Sequence, residues 1–185
     1  MPTSKSPFSL KWSWIKFKTS DTWAVVLEKL KNRGVHEKNL SRCVYSIRIA
    51  AKFGIKYPNG VSPTLYVGEG RLRQRVDSHR KWLKEMEKTF GPIGLQLAVA
   101  TPRVQNNKVA YKEAEAALIQ FFLKKYHSAP FKNSNIEYQK FGHTFTHGSL
   151  AEALTPGQGT RYHWAVEPTH ISSFYKVYAK THQEA

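Results

Sequence analysis

The chain has 185 residues, of which 41% are hydrophobic and 13% aromatic, enough for one domain with extensions or for two small domains. Its 29 lysines and arginines oppose 13 acidic residues, which gives a formal net charge of +16 spread along the chain. This charge favours nucleic acid as the partner. The single cysteine excludes an internal disulfide framework and a cysteine-based zinc cluster.

Membrane and secretion signals are not found in the sequence. No apolar run approaches the roughly eighteen residues that a spanning helix needs, and the first ten residues lack a secretory hydrophobic region. We therefore predict an intracellular, cytoplasmic protein with no membrane partner. Acidic residues are scarce, since Asp21 and Asp77 are the only aspartates. A metal site would consequently depend on one carboxylate rather than several.

The N-terminal segment is predicted to be an extension over residues 1–42. Aromatic and basic residues alternate over 11–18, as in a strand with its charges on one side. A helix is predicted over 23–32, with Ser20 or Asp21 as its N-cap.

Two strands are predicted next, over 43–50 and 64–67. The first alternates apolar and polar residues, and a turn at 57–60 precedes the second. The intervening residues 50–63 would extend the hairpin or form a loop.

A strand-turn-helix unit follows, with a bend at 68–70 and a helix over 70–88. Arg75 and His79 stand four residues apart and share one side of this helix. An arginine there can hold a phosphate through two N–H groups, and a neutral histidine can accept a proton near pH 7. Taken alone, such a pair is more typical of a solvated helix face. The apolar stripe of the helix comprises Leu72, Val76, Leu83 and Met86.

A third strand is predicted over 95–99, then a turn at 106–107 and a helix over 109–126. Glu115 shares the apolar face of that helix with Leu118, Ile119 and Phe122. Because burying an unpaired carboxylate is costly, Glu115 should face a cation, a strong donor or a metal. Glu113 should face solvent. Residues 141–185 are predicted to be a C-terminal extension.

The order and spacing of these motifs resemble the GIY-YIG nuclease family. The matching residues are Val44-Tyr45, Tyr66-Val67-Gly68, Arg75, His79, Glu115 within Glu-x-x-Leu-Ile, and Asn133 within Pro-x-x-Asn. The resemblance covers roughly residues 43–135. It implies an α+β fold in which a small three-stranded antiparallel sheet is flanked by helices, with the nuclease core over 43–140 and extensions at both ends.

The sequence departs from the family pattern at three points. Cys43 stands where the family usually has glycine, and Val67 replaces isoleucine. Tyr45 and Tyr66 are twenty-one positions apart, farther than in the commonest members. This longer spacing resembles the restriction endonucleases of the family.

The resemblance implies a metal-dependent DNA endonuclease. Glu115 would bind a single Mg²⁺ or Mn²⁺, and Arg75 would neutralise the phosphate. Tyr45 or His79 would be the general base, and Tyr66 would position water or phosphate. A tyrosine base would need a pKa lowered by neighbouring cations such as Arg75 and the metal.

Other residues would support the site or bind DNA. Gly68 belongs to the second tyrosine motif, and Asn133, or less favourably Asn135, would tie a loop to the core. The candidates for phosphate contacts on double-stranded DNA are Lys56, Arg71 and Arg73. Sequence specificity would come from the insert at 50–63 and the extensions, and two copies could act as a homodimer on DNA. Restriction of a specific site and a phage or mobile-element activity are both compatible with this interpretation.

Two other functions are compatible with the residues. A histidine-centred metallonuclease could use His143, His147 and His163 as ligands. A non-catalytic nucleic-acid-binding protein could use aromatic side chains for base stacking, although core packing is their commoner use. Those aromatic residues are Trp12, Trp14, Tyr162 and Trp164.

Overall fold

A computed structural model describes residues 7–50, 52–134 and 143–167. Seven strands and four helices lie in these ranges, together with a short 3₁₀ helix at Glu37–Asn39. The strands are β1 Ser13–Phe17, β2 Cys43–Ile49, β3 Phe53–Tyr57, β4 Gly60–Ser62, β5 Thr64–Gly70, β6 Leu95–Ala100 and β7 Trp164–Val166. The helices are α1 Trp23–Lys31, α2 Leu72–Phe90, α3 Ala110–Tyr126 and α4 His147–Leu154. The predicted α+β class is confirmed.

The central sheet is antiparallel and has the strand order β1-β6-β2-β5. The three strands predicted from the sequence are β2, β5 and β6, and β1 adds a fourth. The predicted sheet was therefore one strand too small. Ile15 and Phe17 of β1 are buried while Lys16 is exposed, so the alternation at 11–18 places an apolar face on the core.

The insert between β2 and β5 forms the β3–β4 hairpin. Together with β7, which pairs parallel to β3, it makes a second sheet of three strands. Phe53, Ile55 and Tyr57 are buried, and the Tyr57 hydroxyl donates to the carbonyl of Thr64 at 2.7 Å. The insert is thus packed into the protein rather than projecting from it.

The three predicted helices, α1, α2 and α3, begin and end close to their predicted positions, apart from one cap, whereas α4 was not predicted. Thr22, not Ser20 or Asp21, is the N-cap of α1. The Asp21 carboxylate instead pairs with Lys29 at 2.6 Å, which leaves the capping position to the next residue. Among the described residues, no helix combines the length and apolarity needed to cross a membrane.

The helix α4 covers the face of β2 that carries Ser46 and Arg48. The Ser46 hydroxyl donates to the carbonyl of Ala153 at 3.3 Å, and the Arg48 guanidinium donates to the carbonyls of Glu152 and Thr155 at 3.0 and 2.9 Å. A cation suits the carbonyl end of a helix. Because side chains alternate along a strand, the neighbouring residue Tyr45 projects from the opposite face. The aromatic-rich stretch 171–178 lies outside the described residues.

Candidate active site

The two motif tyrosines meet over a glycine. Tyr45 on β2 pairs with Gly68 on β5, and the rings of Tyr45 and Tyr66 lie 6.0 Å apart between centroids. A Cβ atom on Gly68 would lie 2.6 Å from the Tyr45 hydroxyl oxygen and 2.5 Å from Cε1 of Tyr66. Because glycine has no side chain, the rings of Tyr45 and Tyr66 can both lie against the backbone of β5 at this position.

His79 joins this pair from α2. Its Nε2 lies 2.9 Å from the hydroxyl oxygen of Tyr45, and the indole N–H of Trp82 donates to its Nδ1 at 3.1 Å. An indole N–H can only donate, so Nδ1 is the acceptor and the neutral imidazole carries its proton on Nε2. His79 consequently donates a hydrogen bond to Tyr45. Trp82 was not among the residues predicted for the site, although its position three residues after His79, on the same helix face, was the available signal.

The site perturbs the protonation of its own groups. Burial, with a smaller effect of the Arg75 charge, lowers the pKa of His79 to about 4, so the imidazole is neutral at pH 7. Burial raises the pKa of Tyr45, Tyr66 adds to the increase, and Arg75 offsets part of it. Burial and the charge of Glu115 also raise the pKa of Tyr66. Arg75 lowers the pKa of both tyrosines, as predicted, but desolvation outweighs its charge and the net shift of each pKa is upward.

Arg75 and Glu115 flank the tyrosines with opposite charges. Arg75 is exposed on α2, and its charge acts on the pKa values of Tyr45, Tyr66 and His79. Glu115 is half-buried on α3, and its charge raises the pKa of both tyrosines. The structure thus brings the five residues proposed for catalysis into one electrostatically coupled group.

Asn133 ties the chain after α3 to the edge of the central sheet. Its side-chain oxygen accepts from the N–H of Val67 at 2.9 Å, and its amide nitrogen donates to the carbonyl of Val67 at 2.8 Å. The N–H of Lys132 donates to the carbonyl of Leu65 at 2.8 Å. These bonds satisfy the open edge of β5, the strand that carries Tyr66 and Gly68. The weaker candidate, Asn135, lies outside the described residues.

Glu113 does not face solvent, so that prediction was wrong. Its side chain is buried, where its Oε2 accepts from the amide of Asn107 at 3.0 Å and lies 3.1 Å from Nδ1 of His143. This side of α3 is covered by the loop between β6 and α3 and by the segment around His143. The helical periodicity had predicted that the same side faces solvent. Glu113 therefore anchors the loop that precedes Glu115.

The basic residues proposed for DNA contacts divide into two groups. Arg71, the N-cap residue of α2, and Arg73 are exposed beside Arg75 in sequence. Lys56 lies on β3, where it pairs with Val61 of β4. Its ammonium group forms an exposed ion pair with Glu167 at 3.1 Å. Only the two arginines share the helix of the proposed site.

The described histidine, cysteine and acidic side chains, those within residues 7–50, 52–134 and 143–167, do not gather into a metal site of three or more ligands. His143 contacts Glu113, whereas the ring of His147 packs on Phe121 at 4.9 Å. A site with ligands from His143, His147 and His163 is therefore not supported. Cys43 is buried, and burial raises its pKa to about 12, as expected for a structural thiol.

Comparison with protein-family models, with curated proteins and with solved structures gives no match.

Proposed function

We propose that the protein is a metal-dependent DNA endonuclease of the GIY-YIG type. The observation that carries this proposal is the hydrogen-bonded series from Trp82 through His79 to Tyr45, whose hydroxyl pKa is affected by the charges of both Arg75 and Glu115. Strands β2, β5 and β6 with α2 and α3 also suit the small sheet and flanking helices of that family. The charge of +16 supports double-stranded DNA as the substrate.

Glu115 is the residue suited to hold a single Mg²⁺ or Mn²⁺. It is half-buried, and its carboxylate is close enough to Tyr66 to raise that hydroxyl's pKa. One carboxylate fits Mg²⁺, which usually keeps several waters and binds substrate phosphate as well. When bound, the cation supplies Lewis-acid polarisation of a phosphate oxygen and stabilises the leaving oxygen.

The hydrogen-bond directions favour Tyr45 over His79 as the general base. Nδ1 of His79 accepts from Trp82 and its Nε2 carries a proton, so the neutral ring has no lone pair for the attacking water. The Tyr45 hydroxyl would first release its proton to solvent, and the phenolate would then take a proton from the attacking water, leaving hydroxide to attack the phosphate. Nε2–H of His79 and the charge of Arg75 would stabilise the phenolate. Arg75 also neutralises the phosphate, and Tyr66 positions the water or the phosphate.

The test is cleavage of supercoiled plasmid in Mg²⁺ and in EDTA. We expect nicking in Mg²⁺ only, and we expect Glu115→Gln and Arg75→Ala to lower the rate by about a hundredfold or more while the fold is kept. Lys16→Ala, an exposed change on β1, is the control.

A wild-type protein that binds DNA but never nicks it would favour the alternative function, a non-catalytic nucleic-acid-binding protein. A Glu115→Gln variant that cleaves at the wild-type rate would show that this carboxylate does not bind the metal. Sequencing the cleaved ends separates a restriction-type enzyme from a less specific phage or mobile-element nuclease.

A further inference from the structure

The loop between β6 and α3 contains a rigid turn over residues 104–107. Val104 and Asn107 form an antiparallel bridge, in which the N–H of Asn107 donates to the carbonyl of Val104 at 3.1 Å. Asn106 at the tip has a φ of 60°, a left-handed conformation that asparagine tolerates better than most residues. The turn is therefore defined by its backbone rather than by its exposed side chains.

The base of this turn is fixed to α3 by one side chain. The Asn107 oxygen accepts from the N–H of Val109 at 2.8 Å, and its amide nitrogen donates to Glu113 at 3.0 Å. His143 contacts the same carboxylate, which explains why Glu113 is buried. Because the backbone of this turn is already fixed, the residues at its tip would lose little conformational freedom when they bind a partner.

The outer surface of the turn is basic and rich in amides. It borders a cleft of about 430 Å³ whose described lining residues include no acid. Gln105 and Asn106 at the tip are exposed, as are three cations beside them. These cations are Arg42, Arg103 and Lys108.

The turn lies near the proposed catalytic group. The loop leaves β6 after Ala100, which pairs with Val44, the neighbour of Tyr45. It enters α3 at Ala110, five positions before Glu115. Five residues of helix rise by about 7.5 Å, or roughly two base-pair steps of duplex DNA.

We propose that the 104–107 turn and Arg103 enter the major groove of double-stranded DNA and read base edges within a few base pairs of the cleaved phosphate. Glutamine and asparagine can bond adenine in two places, and arginine can bond guanine likewise. Arg42 and Lys108 contact flanking phosphates. The inference rests on the proposed nuclease function, and it assigns sequence reading to this turn instead of the packed β3–β4 insert.

The test uses two measurements on the full chain. The first sequences the ends left after digestion of mixed genomic DNA in Mg²⁺, and the second selects bound molecules from a randomised duplex pool in EDTA. We expect a base preference in both for the wild type. In a Gln105→Ala/Asn106→Ala variant, that preference should fall by about five- to a hundredfold at one or two positions.

Two further variants serve as comparisons. Lys108→Ala should weaken binding to all duplexes alike and reduce the slope of log affinity against log salt by about 1, with the base preference kept. Asn32→Ala, which removes an exposed amide at the end of α1, should leave preference and affinity unchanged.

The outcomes separate this inference from the proposed function. Cleavage at scattered sequences, or an unchanged preference in the double variant, overturns base reading while the nuclease assignment stands. A binding preference that depends on Gln105 and Asn106, without any cleavage in Mg²⁺, supports base reading and overturns the nuclease.

Discussion

At the scale of single residues, the pair formed by His79 and Trp82 decides what the site can do. Arginine and histidine four residues apart were predicted to act together, and Tyr45 and His79 were equally acceptable bases. The indole of Trp82 breaks that equality, because its N–H occupies Nδ1 of His79 and directs the ring's own proton toward Tyr45. The orientation of this imidazole is the reason why we propose the phenol of Tyr45, rather than His79, as the base.

The base assignment predicts a particular dependence of rate on pH. Because burial raises the pKa of Tyr45, we expect the cleavage rate to rise about tenfold per pH unit from roughly pH 7 to 9. If His79, with a pKa of about 4, were the base, the rate would be flat over that range.

Trp82→Phe should lower kcat by at least about tenfold and populate the Nδ1–H tautomer of His79, which can be measured from the ¹⁵N shifts of that ring.

Trp23→Phe is the matched control for the Trp82 variant. The indole nitrogen of Trp23 is buried on α1 and has no hydrogen-bond partner among the described residues. The substitution removes the same group without touching His79, so rate and ¹⁵N shifts should stay as in the wild type. A Trp82→Phe variant with unchanged tautomer and pH profile would contradict the positioning role of Trp82.

At the scale of elements, the edge of β5 is the part of the site that depends most on one side chain. Asn133 satisfies both the N–H and the carbonyl of Val67, and Val67 is fully buried. Asn133→Ala leaves both groups without a partner and should lower the free energy of unfolding by about 2–4 kcal/mol in urea titrations. Asn133→Asp should also be destabilising, because the carboxylate can accept from the N–H of Val67 but cannot donate to its carbonyl.

Asn59→Ala provides the comparison, because the Asn59 amide makes one exposed hydrogen bond, to the carbonyl of Lys125 at 2.9 Å. That change should cost no more than about 1 kcal/mol. Equal losses for Asn59→Ala and Asn133→Ala would show that the bonds to Val67 do not stabilise the sheet edge.

The elements also show what the sequence could and could not predict. Alternation and helical spacing located β2, β5, β6, α2 and α3, because each has an apolar face whose period is visible locally. The pairing of β1 with β6 was missed, since a pairing partner about eighty residues away leaves no local signal. The burial of Glu113 was missed for the same reason: the covering groups come from Asn107 and His143.

At the scale of the whole molecule, the two predicted extensions pack against the sheet and each other. The indole of Trp12 donates to the carbonyl of Ser149 at 2.7 Å, and Phe8 bridges to Phe145. Together with α4 on the Ser46 face of β2, these contacts cover one side of the sheet. The opposite side carries Tyr45, whose side chain is fully buried. Within the proposed catalytic group Arg75 is exposed and Tyr66 and Glu115 are half-buried, so these three residues form the part that DNA would reach.

The stability of the whole molecule should depend on the protonation of His79. Its pKa is lowered in the folded protein, so its contribution is full above the unfolded pKa of about 6.5 and is lost as pH falls toward 4. A shift of this size corresponds to roughly 3 kcal/mol once pH lies below both pKa values, and to slightly less at pH 4.5. We therefore expect urea titrations at pH 7 and pH 4.5 to differ more for the wild type than for His79→Gln, which cannot gain a charge. His36→Gln, an exposed change, should keep the wild-type difference, and an equal difference in His79→Gln would show that protonation of the buried imidazole does not destabilise the fold.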